Sequence, residues 1–320
     1  AVEGWRAAGA ASLPLLLAAA LAAAAEARLF GERGVAFLGR ALELRSLELP
    51  LGRWRRAVFA LLVTLACAAL GAPLAGWVVG ALSGGAESGS AAVSRAWSAG
   101  VPAFARSLVL ALGGGSLAAL IGLPLAYAAE RGRLRWRQAV DLSLVVLFAI
   151  PGAVLALGLL RMIPLEEFRA SGLAIVAGLG VHVAVVPYRM ERVALRQLGA
   201  RAEEAGTLAG ASWSSRVRHL ILPLNAEFAA GAWGAALLLA FRDGGLGTVL
   251  SPGLPTLAAL GAESAARSSQ AAAALGLVAA SAAAFTLLLG AALARLLARA
   301  RKAAFEATAL PSPAEAPRTP

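Results

Sequence analysis

From Ala57 to Gly80 the chain carries no charged side chain, and the same holds from Ser107 to Ala129. Runs of this length match the roughly 20 apolar residues a helix needs to cross hydrocarbon. Comparable blocks at about 8–25, 139–161, 171–189, 224–242 and 271–298 bring the expected spans to seven. Apolar residues make up 59% and charged residues 15% of the chain, with a mean hydropathy of +0.75. Soluble domains carry about a quarter charged residues. The pattern predicts an all-α fold, a polytopic membrane helix bundle.

Many of these blocks are alanine-rich. Small side chains let membrane helices approach closely, and Gly113-Gly114-Gly115 with Gly71, Gly122 and Gly158 fits that mode of packing. Pro124 and Pro151 are expected to kink their spans. The segments 26–56, 130–138, 189–223 and 295–320 hold 22 of the 29 Lys and Arg residues. By the positive-inside bias these segments are cytoplasmic, which puts the N-terminus before the first span outside. The opposite side and span edges hold Arg6, Arg95, Arg106, Arg161, Arg169, Arg242 and Arg267. The segments 81–103 and 243–270 read as polar external loops, and the proline-bearing tail 303–320 as disordered.

The net charge of +11 is distributed as a topology and headgroup signal, so no nucleic-acid partner is expected, and membrane lipid is. The single cysteine, Cys67, lies in an apolar block. No His/Cys/Asp/Glu set has metal-ligand spacing, and no nucleophile–base set stands out. The Gly113–Gly115 run lacks the Lys-Ser/Thr of a phosphate-binding loop. No enzyme activity, no metal and no cofactor is therefore expected of this chain. Asp141 reads as a local ion-pair residue near the Arg131–Arg137 cluster, and Arg106 and Arg161 as snorkelling side chains. His182, Arg242 and Asp243 are the candidates for a translocation path. A hydrogen-bonded packing role for His182 stands beside that reading.

The 190–223 segment is long for a connection and is patterned as helix. Ala194, Leu198, Ala202, Ala205 and Leu208 or Ala209 recur at three- and four-residue spacing, forming one apolar stripe. Arg192, Arg196, Arg201, Glu203 and Glu204 fill the other faces. Gly210 interrupts this helix, Ser212 is placed to cap a second short one, and Pro223 ends it at the next span. Two readings follow: a rigid cytoplasmic knob, or an amphipathic hairpin resting on lipid.

The residues Glu204-Ala205-Gly206, Gly210 and Leu220-Ile221-Leu222-Pro223 resemble the EAA loop of binding-protein-dependent ATP-binding-cassette permeases. That pattern runs Glu-Ala-Ala, three residues, Gly, nine residues, Ile, one residue, Leu-Pro. The spacing is kept, with Gly206 in the third position and Leu220 in the Ile position. Ser107–Tyr127, ending Gly122-Leu123-Pro124-Leu125-Ala126-Tyr127, resembles the second span of these permeases, and Ala149-Ile150-Pro151-Gly152 the Pro-Gly turn of their third.

The resemblance implies a type I, MetI-like permease with about seven transmembrane helices in the cell inner membrane. It divides the chain into a last helix of a preceding unit (1–27), a cytoplasmic linker (28–56), a six-helix domain (57–302) and the tail. The layout is similar to the C-terminal half of fused iron(III)-type permeases. Implied partners are ATP-binding-cassette ATPase subunits, a periplasmic or extracellular binding protein and a first permease unit, with ATP hydrolysed on the partner chain. Iron(III) is the implied cargo, with thiamine, polyamine and phosphonate as alternatives, and an ion-coupled secondary transporter is the reading from another class. The coupling residues implied are Glu203, Glu204, Ala205, Gly206, Gly210, Leu220, Leu222 and Pro223.

Overall fold

A computed structural model describes residues 14, 17, 18, 21, 52–83, 88–132, 136–162, 172–198, 200–250 and 255–284. The expectations for the first span, for most of the linker, for the far part of the 271–298 span and for the tail lie outside the described residues. Every regular element among the described residues is helical.

The helices are α1 (Arg55–Ser83), α2 (Gly89–Arg131), α3 (Arg137–Ala149), α4 (Gly152–Met162), α5 (Leu173–Val183) and α6 (Val185–Leu198). They continue with α7 (Arg201–Leu208), α8 (Trp213–Arg216), α9 (Leu222–Arg242), α10 (Gly245–Leu250), α11 (Leu257–Arg267) and α12 (Ser269–Ala284). A π-helical turn, Val217–Ile221, joins α8 to α9.

Helix α2 is the hub. It packs most extensively on α9, α5 and α6, and α9 also packs on α6. The contacts are close because the interface residues are small. A Cβ at Gly115 would sit 2.9 Å from the Leu237 Cα of α9, and one at Gly122 would sit 2.7 Å from the Tyr188 nitrogen of α6. Larger side chains there would wedge the helices apart. The buried core is accordingly rich in alanine, while leucine, valine and phenylalanine cover the outside of α1, as at Phe59, Leu62, Leu65 and Leu70. An apolar exterior over a small-residue interior is what lipid as solvent favours. Gly71 and Gly158, read from sequence as packing glycines, face open space among the described residues.

At 43 residues α2 is about 64 Å long, twice the hydrocarbon thickness. Its uncharged run, 107–129, suffices to cross, so the Gly89–Arg106 part projects beyond it. The 81–103 segment, expected as a loop, is therefore helical from Gly89 onward. Alanines and serines there let the helix propagate, and Ala92, Gly100 and Ala103 bury against the rest of the fold. The 243–270 segment likewise holds two short helices, α10 and α11, among its described residues.

Pro151 ends a helix as its missing N–H demands, and α3 and α4 meet across it at 106°. Pro124, by contrast, lies inside the unbroken α2. A second break, at Ala184, bends α5 against α6 by 44°. Among the described residues, three helical segments are long and apolar enough to cross a membrane, or five when each bent pair counts as one span.

Candidate functional site

The 190–223 segment proves to be two things. Up to Leu198 it is α6, continuous with the bundle, with Ala194 and Leu195 buried. From Ala200 onward it is a separate knob on the end of α9. The single apolar stripe expected along both is thus divided: Ala205 and Ala209 are exposed, and Leu208 is 90% exposed. The side chain of Ala202 lies outside the described residues. Local periodicity cannot register that one helix ends at Leu198 and another begins at Arg201.

The turn of the knob is built on Gly210, whose φ of +78° puts it in the left-handed region that glycine adopts without strain. Its N–H donates to the Thr207 carbonyl at 3.0 Å, and that of Ala211 reaches back to the Gly206 carbonyl at 2.9 Å. This pair of bonds is the Schellman closure of a helix C-terminus. Ser212 then caps α8, its Oγ accepting from the Ser215 N–H at 3.3 Å.

Glu203 and Glu204, adjacent in sequence, have opposite fates. Glu203 accepts from Arg131 Nε at 2.6 Å on one oxygen and from the Tyr127 hydroxyl at 3.1 Å on the other. Arg131 also donates to the Leu195 carbonyl at 2.8 Å. The Tyr127 ring meets Trp213 edge-on, 6.3 Å between centroids. The end of α2 therefore holds α6, α7 and α8 together. Glu204 is exposed, and its side chain makes no hydrogen bond or ion pair with other described residues. Leu208, one turn further along α7, is exposed on the same helix, and Trp213 of α8 is largely exposed.

Gly206 has a local reason. The aliphatic stem of Arg216 lies over it, so that a Cβ would come within 3.1 Å of the Arg216 Cδ. From there the guanidinium reaches Thr207 Oγ1 and the Ala211 carbonyl. Leu220 is half-buried and Leu222 and Pro223 are exposed, while Ile221 between them is buried. The knob is thus pinned to the bundle by Ile221.

Behind the knob lies an ionic cluster. Arg192 of α6 sits 2.7 Å from Glu130 of α2 and 3.6 Å from Asp141 of α3, Arg196 sits 3.0 Å from Glu130, and Arg189 sits 3.2 Å from Asp141. Asp141, expected in a local pair, reaches across to α6. Glu191, only 2% exposed, takes a hydrogen bond from the amide of Asn225, which is 1% exposed. None of these partnerships is visible in linear order, since each joins residues on different helices.

The three path candidates separate. His182 and Asp243 meet, with Nδ1 3.1 Å from Asp243 Oδ2, and the His182 Nε2 lies 3.2 Å from the Phe148 carbonyl at the end of α3. The other Asp243 oxygen accepts from the Leu246 N–H at 3.0 Å, capping α10. Gly152 backs onto the carboxylate so closely that a Cβ would lie 2.7 Å from it. The pair ties the break at Pro151 to the ends of α5 and α9. Arg242 is exposed beside it and makes no ion pair among the described residues.

The described residues thus form an all-α helical bundle with three to five candidate membrane spans, and these long apolar helices suggest a multi-pass membrane protein. Neither a protein-family model nor a curated protein matches the chain.

Proposed function

We propose that the chain is the permease subunit of a binding-protein-dependent ATP-binding-cassette importer in the cell inner membrane. The observation that carries this reading is the 200–223 knob: a helix, a Schellman turn at Gly210 and a second short helix running into α9. It is held to α2 through Glu203 and presents Glu204, Leu208 and Trp213 outward. Its residues keep the EAA spacing described above.

In this reading the outer surface seats in a partner ATPase that hydrolyses the ATP, with Glu204 facing a basic residue there. Closure of two such ATPases displaces the knob. The bonds to Glu203 from Arg131 and Tyr127 carry the displacement into α2, and Ile221 carries it into α9, so that the two helices move together. The bundle then alternates access to cargo delivered by a periplasmic or extracellular binding protein. A first permease unit completes the assembly. Iron(III) is the proposed cargo, and thiamine, a polyamine or a phosphonate fits the same machinery.

Co-expression with a candidate ATPase tests the proposal. Co-purification is expected with the native chain and its loss with Glu204→Arg, and Gly210→Asp is expected to abolish uptake while leaving membrane insertion intact. Undiminished co-purification and uptake in both variants sinks the reading. The buried His182–Asp243 pair favours a second one, ion-coupled secondary transport, because such carriers place ionisable groups at helix breaks. That reading requires uptake without any ATPase.

A further inference from the structure

Pro151 has no N–H to give, and α3 ends before it, so the last carbonyls of that helix must find donors elsewhere. The Phe148 carbonyl finds one in His182 Nε2, 3.2 Å away at the end of α5. A carbonyl only accepts, so Nε2 carries a proton. The other ring nitrogen, Nδ1, lies 3.1 Å from Asp243 Oδ2, and the second oxygen of Asp243 accepts from the Leu246 N–H at 3.0 Å. An ionised carboxylate also only accepts. Both ring nitrogens therefore face acceptors, and only the imidazolium, a donor at each, makes both bonds. The residue is 8% exposed, so these two bonds, rather than bulk water, hold the cation.

The surroundings leave Asp243 as the acid at this place. Arg242, its neighbour on α9, is exposed, and α10 carries no charged residue. On α9 the acid Glu227 lies sixteen residues before Asp243, and α2 contacts the end of α5 within its uncharged run, where Leu117 meets Gly180. The described ionisable residues of α3, α4 and α6 (Arg137, Asp141, Arg161, and Tyr188 onward) lie six or more residues from Phe148, Gly152 and His182 respectively, about 9 Å or more along their helices.

We infer that His182 is a proton-binding site that latches the break between α3 and α4. With the proton bound, the imidazolium bridges the Phe148 carbonyl and the Asp243 carboxylate, tying the end of α3 to the ends of α5 and α9. When the ring passes that proton to water, the neutral imidazole keeps its stronger bond, from Nδ1–H to the carboxylate, and Nε2 is left bare. Its lone pair then opposes the Phe148 carbonyl, and the corner at Pro151 is released. The latch closes in acid and opens as the pH rises. It sits at the far end of α9 from the knob, 21 residues away or about 30 Å, and the inference rests on neither reading of the function.

The chain has two histidines, and the other, His219, is exposed. His219→Gln therefore leaves a single imidazole for nitrogen-15 NMR of the histidine-labelled chain in nanodiscs. From about pH 5 to about pH 9, a range that brackets the ordinary charge change of histidine, the ring is expected to go from protonated on both nitrogens to protonated on Nδ1 alone. Hydrogen–deuterium exchange over the same range, expressed as protection relative to the unstructured chain at each pH, is expected to fall on peptides spanning the break as Nε2 loses its proton. The expected fall is on the order of tenfold or more, the loss of one bond from a charged donor. Asp243→Asn offers an amide N–H to Nδ1, which keeps the proton of the neutral ring on Nε2 and the Phe148 bond without a charge. Protection at the break is expected to be flat with pH in that variant. A ring with one protonated nitrogen throughout overturns the inference, and so does protection at the break that does not follow the ring. An undiminished pH response in Asp243→Asn overturns it equally. The NMR readout needs no substitution in the site, so it decides the matter even where Asp243→Asn fails to fold.

Discussion

Replacing Glu203 by glutamine isolates the anchor between knob and bundle, because the shape is kept and only the charge and one acceptor are lost. The carboxylate and the Arg131 side chain are 14% and 15% exposed, so solvent screens their 2.6 Å contact weakly. Both bonds end on the carboxylate, so each is charge-assisted and contributes about 1.5–3 kcal/mol. Glutamine keeps one acceptor, so roughly half of the combined amount, about 2 kcal/mol, is the expected loss. Arg131 remains bonded to the Leu195 carbonyl, which keeps α2 and α6 joined, and the loss falls on α7 alone. Two kcal/mol corresponds to about thirtyfold in the local opening equilibrium. Hydrogen–deuterium exchange of the native chain and the variant, read on peptides covering residues 200–210, measures that opening. Glu204→Gln is the internal control and is expected to change exchange less than about twofold, as surface changes stay within about 0.5 kcal/mol. Equal acceleration in the two variants, or less than about threefold in Glu203→Gln, would refute the assignment of Glu203 as the anchor.

Other substitutions probe the remaining joints. Gly210→Val forces a branched residue to a φ of +78°, and a destabilisation of the turn by about 1–2 kcal/mol or more is expected in the same exchange experiment. Gly122→Val places a methyl-bearing carbon against the Tyr188 nitrogen, and about 1–3 kcal/mol of overpacking is expected as a lowered thermal midpoint in detergent. Asp243→Ala strips the partner from His182 and from the Leu246 N–H. Each buried donor left unmade costs about 1–3 kcal/mol, so faster exchange is expected at α10 with little change at α7.

The apolar runs alone determined that this chain is helical and built for lipid, since an uncharged stretch of that length has few other stable solutions. The turn at Gly210, the cap at Ser212 and a bend at Pro151 were legible too, because each depends on the covalent geometry of one residue and its near neighbours, although Pro151 was expected to kink a span and the structure shows a full break there. The split of the 190–223 segment into α6 and a separate knob was not legible. Period and polarity continue across the break between Leu198 and Arg201, and only the bonds from Arg131 and Tyr127 to Glu203 show where α7 docks. The helical extension of α2 before Ser107 was hidden by its polar and small residues, which read as loop until burial of Ala92 and Ala103 is known. Partner choice was beyond linear order altogether. Glu203 and Glu204 are chemically equal neighbours, and the rotation of about 100° per residue along a helix turns one toward Arg131 and leaves the other outside. The same holds for His182 with Asp243: the residues are conspicuous in the sequence, and only the fold brings them together.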